Sequence, residues 1–281
     1  MTAPTRPVLR WHGGKWLLAP WIIGFFPKHR VYVEPFGGAA SVLLRKERVT
    51  TEIYNDLDAD LVNLFRILRD RPDDLRRAIA LTPFARDEYK TLYEGAEEPV
   101  ERARRFVSRS FMGQSSKGAM SRSGFDTRVN EDAFVSRLRS LVSVPDEVLA
   151  VAGRMSHVII ENDDAMRLMA RHDRPDALIY ADPPYLPATR AAAVYRHEFD
   201  TTAHIALLAF LCRLKGMVVL SGYPHSLYDD ALVGWSRFER EALADGARPR
   251  TEVVWINPAC AAALLAEGRR PEQLSLLDGA A

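Results

Sequence analysis

The chain has 281 residues, 47% of them hydrophobic and 27% charged, and its 38 basic and 37 acidic side chains leave a formal charge of +1. This composition is ordinary for a globular protein and excludes collagen-like, disulfide-scaffold and low-complexity classes. No apolar run reaches the roughly 18–20 residues that cross a bilayer, and the N-terminus Met1-Thr2-Ala3-Pro4-Thr5-Arg6 lacks the apolar core of a signal peptide, so a cytoplasmic protein with no membrane partner is expected. Cys212 and Cys260 are too few for a disulfide framework and, with seven scattered histidines, give no zinc spacing; no metal site is expected.

Trp11-His12-Gly13-Gly14-Lys15 precedes an amphipathic segment, Trp16 to Phe26, and by itself reads as a flexible turn. Val31-Tyr32-Val33-Glu34 is a short β-rich run that stops at Pro35-Phe36-Gly37-Gly38, and Ala39 to Arg45 then reads as a helix start. Glu52-Ile53-Tyr54 is a second strand closing on Asn55-Asp56, and the resulting β-α-β unit makes the two strands parallel. Helical periodicity follows, with Leu61, Leu64, Phe65 and Leu68 on one stripe and further stretches around Glu88 to Tyr93 and Arg102 to Phe111. Strand signals return with Val158-Ile159-Ile160, Ala177 to Tyr180, Met217 to Leu220 and Glu252 to Ile256, unbroken apolar runs suited to burial on both faces. The reading is an α/β fold: a mostly parallel sheet built from residues 1–60 and 155–260, with a helical insertion over 61–154. Past Asn257 the chain turns Ala-rich and then polar, and the tail 261–281 is expected to fray.

Two motifs lie where ligands gather in open α/β sheets, beyond the carboxyl ends of strands. Asp182-Pro183-Pro184-Tyr185 directly follows Leu178-Ile179-Tyr180. Two prolines do terminate strands, but they also hold the preceding backbone rigid, and the Asp oxygen with a neighbouring carbonyl then makes a paired acceptor for an amino group. Glu34 to Ser41 holds glycines that admit a ligand to the backbone at a helix N-terminus. The absent G-x-G-x-x-G argues against a nicotinamide oxidoreductase, and Gly113 to Gly118 is no P-loop, because its lysine is misplaced and no strand precedes it. Asp56 stands where an acidic side chain accepts from ribose hydroxyls, with a helix N-cap as the alternative.

In this order, W-x-G-G-K, E-P-F-x-G followed by a strand ending in Asn-Asp, a helical insertion and D-P-P-Y resemble the Dam-like DNA adenine N6-methyltransferases, phage and prophage members included. The likeness spans most of the chain and is weakest in the insertion and after Pro258. It implies a Rossmann-like S-adenosylmethionine-dependent methyltransferase sheet with an inserted, mostly helical target-recognition domain. It also implies that Trp11, Lys15, Glu34, Phe36 and Gly38 bind the cofactor, with Asp56 on its ribose and Asp182 at its methionine end and the target amine. Pro183, Pro184 and Tyr185 complete the catalytic motif, Tyr185 being either a platform for a flipped adenine or a core ring. Asp163, in Glu161-Asn162-Asp163, is similar to a family element near the cofactor's adenine, and a solvated helix cap is the alternative. Ala40 departs from the family, whose members often carry another glycine there. Cytosine-N4 methylation shares the amine chemistry and a DNA binder without catalysis shares the partner, so both stand as alternatives.

Between Arg102 and Arg128 seven basic residues face one acidic residue, a local charge of +6. Such clustering suits double-stranded DNA, with Gln114 and Arg122 as candidate base readers and Lys117 and Arg109 as candidate phosphate contacts. A monomer is expected.

Overall fold

The computed structural model describes residues 3–114, 116–128, 136–186, 199–244 and 248–271. Its frame is one sheet of seven strands: β1 (Val31–Glu34), β2 (Thr51–Asn55), β3 (Val158–Glu161), β4 (Ala177–Ala181), β5 (Met217–Gly222), β6 (Ser236–Ala244) and β7 (Arg248–Ile256). They lie in the order β3-β2-β1-β4-β5-β7-β6. The first five strands run parallel, and β7 is antiparallel to both of its neighbours. In register, Val33 of β1 sits between Ile53 of β2 and Ile179 of β4.

Strands β1, β4 and β5 are buried at every position, which is why their sequences read as continuous apolar runs rather than alternating ones. Tyr32, Tyr54, Leu178 and Tyr180 point into one core, and Val33, Ile53, Ile179 and Leu220 into a second on the opposite face. At the edge, β3 leaves Ile159 47% exposed. The other edge, β6, escapes a periodicity reading because Ser236-Arg237-Phe238-Glu239-Arg240-Glu241 is rich in charge. Outward charges keep an unpaired strand from recruiting other chains, so the edge position explains the sequence.

Helix α1 (Ala19–Ile23) is short, well inside the span of the amphipathic segment that contains it. Helix α2 (Ser41–Arg45) follows β1. The helical stretch comprises α3 (Ala59–Asp70), α4 (Pro72–Ala80), α5 (Arg86–Thr91), α6 (Pro99–Met112), a 3₁₀ turn (Ser116–Ala119), α7 (Ser136–Val142) and α8 (Val144–Met155). Its apolar side chains, Phe65, Leu75, Phe106 and Val148 among them, share the core of Tyr32 and Tyr54. A buried ion cluster fastens its last helix to the sheet: Glu52 of β2 accepts from Lys46 at 2.5 Å and from Arg154 of α8 at 2.5 and 2.8 Å. Helices α9 (Ala165–His172), α10 (Thr201–Leu211) and α11 (Ser226–Ala231) cover the opposite face.

The chain beyond Asn257 corrects the expectation of fraying as far as residue 271. Asn257 caps α12 (Pro258–Ala266) by accepting from the Cys260 N–H, and its amide also donates to the Gly216 carbonyl. Cys260 and Leu264, one turn apart, are fully buried, and the Cys260 thiol donates to the Phe25 carbonyl. Arg269 then binds the Phe26 and Gly24 carbonyls. An Ala-rich helix with one buried stripe needs few large apolar residues, so its anchoring was invisible to composition. Residues 272–281 lie outside the described residues. The second cysteine, Cys212, is exposed. Among the described residues no helix is long and apolar enough to cross a membrane, and no His, Cys, Asp or Glu cluster is arranged to hold a metal.

Candidate active site

Strand β1 has β2 on one side and β4 on the other, so the connections leaving β1 and β4 part in opposite directions and open a crevice at the carboxyl end of the sheet. Both sequence motifs end there. The cavity is lined by the Trp11–Lys15 segment, by Glu34 to Ala39 after β1, by Asp56 to Asp58 after β2 and by Asp182 to Tyr185 after β4.

The glycine turn is shaped by what presses on it. A Cβ on Gly37 would stand 2.1 Å from the Tyr54 ring, and one on Gly38 would stand 2.9 Å from the Trp11 indole nitrogen. Gly38 has φ +49°, a left-handed conformation that glycine adopts without strain. Ala40 also takes this conformation, at φ +55°, where its Cβ is disfavoured. The chain thus keeps the backbone of the turn at the position where it lacks a glycine. Asp56 binds the turn directly: it accepts from the Gly38 N–H at 2.9 Å and, through its other oxygen, from the Asp58 N–H at 2.8 Å. The helix N-cap of α3 is Asp58 rather than Asp56.

Glu34, 2% exposed, accepts from the Tyr32 hydroxyl at 2.6 Å. Burial pushes its carboxyl up to about 8; the Tyr32 hydrogen bond opposes the rise and the charge of Asp182 adds to it. A buried carboxyl of this kind facing a cavity suits a cationic ligand group, which would favour its ionised form. Phe36 lies edge-on to Phe199 across the cavity, with ring centroids 5.8 Å apart.

Asp182 is held from two sides. Lys15 places Nζ 3.2 Å from Oδ2, and the Ser221 hydroxyl donates to Oδ1 at 2.8 Å while remaining in contact with the Tyr180 hydroxyl at 2.9 Å. Lys15 also donates to the Gly13 carbonyl and stands 4.6 Å from the centre of the Tyr185 ring. Tyr185 is buried, packs 4.3 Å from Tyr223 and donates to Glu252 at 2.9 Å. Burial, with the Asp182 charge next, drives its phenol well above the ordinary range, so it stays protonated.

A family model for D12 class N6 adenine-specific DNA methyltransferases matches residues 11–227. The chain belongs to this family. The DNA adenine methylase of Salmonella typhi is 27% identical over 216 residues, covering 73% of this chain and 75% of the relative. That of Escherichia coli K12 is 26% identical over 217 residues with the same coverage, and the type II methyltransferase M1.LlaDCHI of Lactococcus lactis is 24% identical over 213 residues, 69% of this chain and 71% of that protein. The activity of this D12 methyltransferase is N6 methylation of adenine in DNA, and the cytosine alternative falls.

Trp11, Lys15, Glu34, Phe36, Gly38, Asp56 and the Asp182–Tyr185 motif all meet at one cavity in the D12 methyltransferase. Asp163 does not. Its carboxylate faces α9, accepting from Arg171 at 2.5 Å and Arg167 at 3.3 Å, and Asp164 lines the cavity in its place. Asn55 sets this arrangement by pairing with the Asp163 backbone in both directions.

The basic stretch separates likewise. Arg102 and Arg109 both bind Asp60, Arg104 binds Glu88 and Glu101, Arg105 binds Glu101, and Arg128 binds Asp126. Arg109 departs from the expected phosphate contact: it is 7% exposed and also donates to the Ala119 and Leu92 carbonyls. Helical phase explains this, since Arg109 lies one turn beyond Arg105 and two beyond Arg102, on the stripe of α6 that meets α3. Gln114 and Arg122 remain exposed, Arg122 over the Tyr93 ring at 5.6 Å. Lys117 sits on the 3₁₀ turn, between them in sequence. The backbone here is closed by a bridge between Gly113 and Phe125 and brings Met120 to the wall of the cavity.

Sequence reasoning missed Ser221, Glu252 and Tyr223. The available signal was the abrupt Ser-Gly-Tyr after the apolar Met217-Val218-Val219-Leu220, at the carboxyl end of the strand beside Asp182.

Proposed function

We propose that the chain transfers the methyl group of S-adenosylmethionine to the N6 of an adenine turned out of double-stranded DNA, acting as a monomer. The observation that carries this reading is the convergence of Glu34, the glycine turn, Asp56 and an oriented Asp182 on one crevice. The residues fit the donor: Asp56 has acceptor capacity for ribose hydroxyls, Gly37 and Gly38 line the crevice in a turn held by the Tyr54 and Trp11 rings, and Glu34 suits an ammonium. Bound S-adenosylmethionine supplies an electrophilic methyl group on sulfonium.

The adenine amine is a poor nucleophile because its lone pair is delocalised into the ring. Asp182 and the Pro183 carbonyl, accepting its two N–H bonds, favour the nitrogen as it pyramidalises and its lone pair becomes available. Ser221 and Lys15 aim the carboxylate in advance, so this preference needs no reorganisation. Pro183 and Pro184 fix the backbone that presents the acceptors. A stacked base cannot reach such a site, so the target is flipped, and Tyr185 contributes a face for it. On the proposed DNA side, Gln114 and Arg122 read bases and Lys117 contacts phosphate, within a target-recognition region spanning 61–154.

Incubating unmethylated DNA with the protein and S-adenosylmethionine, followed by nucleoside mass spectrometry, tests the reading. N6-methyladenine from the native chain and none from Asp182→Ala is expected. No product from native protein that binds S-adenosylhomocysteine would overturn it. Charge reversal at Lys117 and Arg122 should weaken DNA binding and spare cofactor binding; equal loss of both would reject the assigned DNA face.

A further inference from the structure

Glu252 stands out by its surroundings. It opens the apolar run Val253-Val254-Trp255-Ile256 of β7 and is 8% exposed. Because Val253 pairs with Gly222, Glu252 lies one step past the end of the β5–β7 ladder, at the level of Tyr223. A carboxyl there is costly to bury, and burial raises its pKa, with Lys15 opposing the rise and Asp182 adding to it. Its carboxylate accepts the Tyr185 hydroxyl at 2.9 Å.

The prolines before Tyr185 make the backbone stiff, leaving the torsions of the ring itself as the loose joint of the motif. Lys15 Nζ stands over the ring, 4.6 Å from its centroid, and the tilted Tyr223 ring packs against it at 4.3 Å, while the hydroxyl tether fixes its far end. We infer that Glu252 is a positioning residue for methyl transfer, holding the Tyr185 ring in the plane that receives the flipped adenine. The inference rests on the proposed role of Tyr185 as a platform for the base. Glu252 acts through Tyr185 and touches neither substrate nor donor.

The test compares Glu252→Leu, Glu252→Gln, Tyr185→Phe and the Glu252→Leu/Tyr185→Phe double variant, reading kcat and KM for DNA by formation of N6-methyladenine. S-adenosylhomocysteine affinity and Tm serve as structural readouts. Glu252→Leu is expected to lower kcat about tenfold through a loosened ring, with KM for DNA and S-adenosylhomocysteine affinity held. Glu252→Gln, whose amide oxygen still accepts the hydroxyl, should restore most of the rate. Tyr185→Phe should match Glu252→Leu, and the double variant should fall no further, since both changes cut one tether. Native kcat in Tyr185→Phe or Glu252→Leu would overturn the inference, as would full additivity or an equal defect in Glu252→Gln. Loss of S-adenosylhomocysteine binding in Glu252→Leu would assign it a merely structural role. Should Glu252→Leu fail to fold, Tyr185→Phe and Glu252→Gln still decide. Absence of product from the native chain would instead defeat the reading of function, and so is distinguishable from native rates in the variants.

Discussion

The carboxyl edge of the sheet and the basic face of α6 handle their polar residues in opposite ways. At the sheet edge, Trp11, Glu34, Asp56 and Asp182 come from four separate segments and converge on one cavity. Along α6, Arg102, Arg104, Arg105 and Arg109 are near neighbours in sequence and are drawn to carboxylates on α3, α5 and α6 itself. A motif fixed by strand ends and turns therefore keeps its meaning on folding, whereas a charge count is settled by partners outside the counted window. Glu101 stands one residue before that window, and its carboxyl is held down at about 2, first by its hydrogen bond to Arg104.

The contrast breaks if the convergent residues prove dispensable. Asp182→Asn should lower kcat about 10²–10³-fold while S-adenosylhomocysteine affinity, measured by calorimetry, stays near native. On the other side, Arg109→Ala should cost about 2–3 kcal/mol in urea unfolding, because Asp60 and two carbonyls lose a buried partner while Arg102 remains. Arg122→Ala should leave the urea midpoint alone and lessen the salt slope of DNA binding by about one. Reversal of these two phenotypes would return Arg109 to the DNA surface.

The turn after β1 sharpens the same contrast by pH. The folded chain keeps the Glu34 proton up to about 8, whereas the ordinary carboxyl gives it up near 4.5. Glu34 thus contributes stability below 4.5 that is lost as pH rises through 8, and Glu34→Gln should flatten the fall in urea midpoint across that window. A smaller effect is expected at Ala40, where Ala40→Gly should relieve the left-handed strain and add about 0.5–1 kcal/mol. An unchanged or lower midpoint would mean that the strain is carried elsewhere.

Much of the fold was legible because central strands buried on both faces must be apolar throughout, as Leu178-Ile179-Tyr180 and Met217 to Leu220 are. Strand β6 was not, because an edge strand alternates Phe238 with charges that solvent accepts. At the site, Asp182 and the glycine turn announced themselves by their place after strands. Ser221 and Glu252 did not, since each acts through a contact across the sheet that no local spacing encodes. Asp163 was misleading for the complementary reason: Asn55 and Arg171 decide which of two adjacent aspartates lines the cavity.

The two cysteines differ in a way that makes α12 observable. Cys212 is exposed, whereas the Cys260 thiol lies on the buried side of α12 and is pushed by burial up to about 12. Since the thiolate is the nucleophile that attacks alkylating reagents, a folded chain presents one accessible thiol and releases the second only when the C-terminal helix lifts from the sheet. The rate at which Cys260 becomes alkylated is therefore a clock for the opening of that helix, readable as the mass that the alkyl group adds.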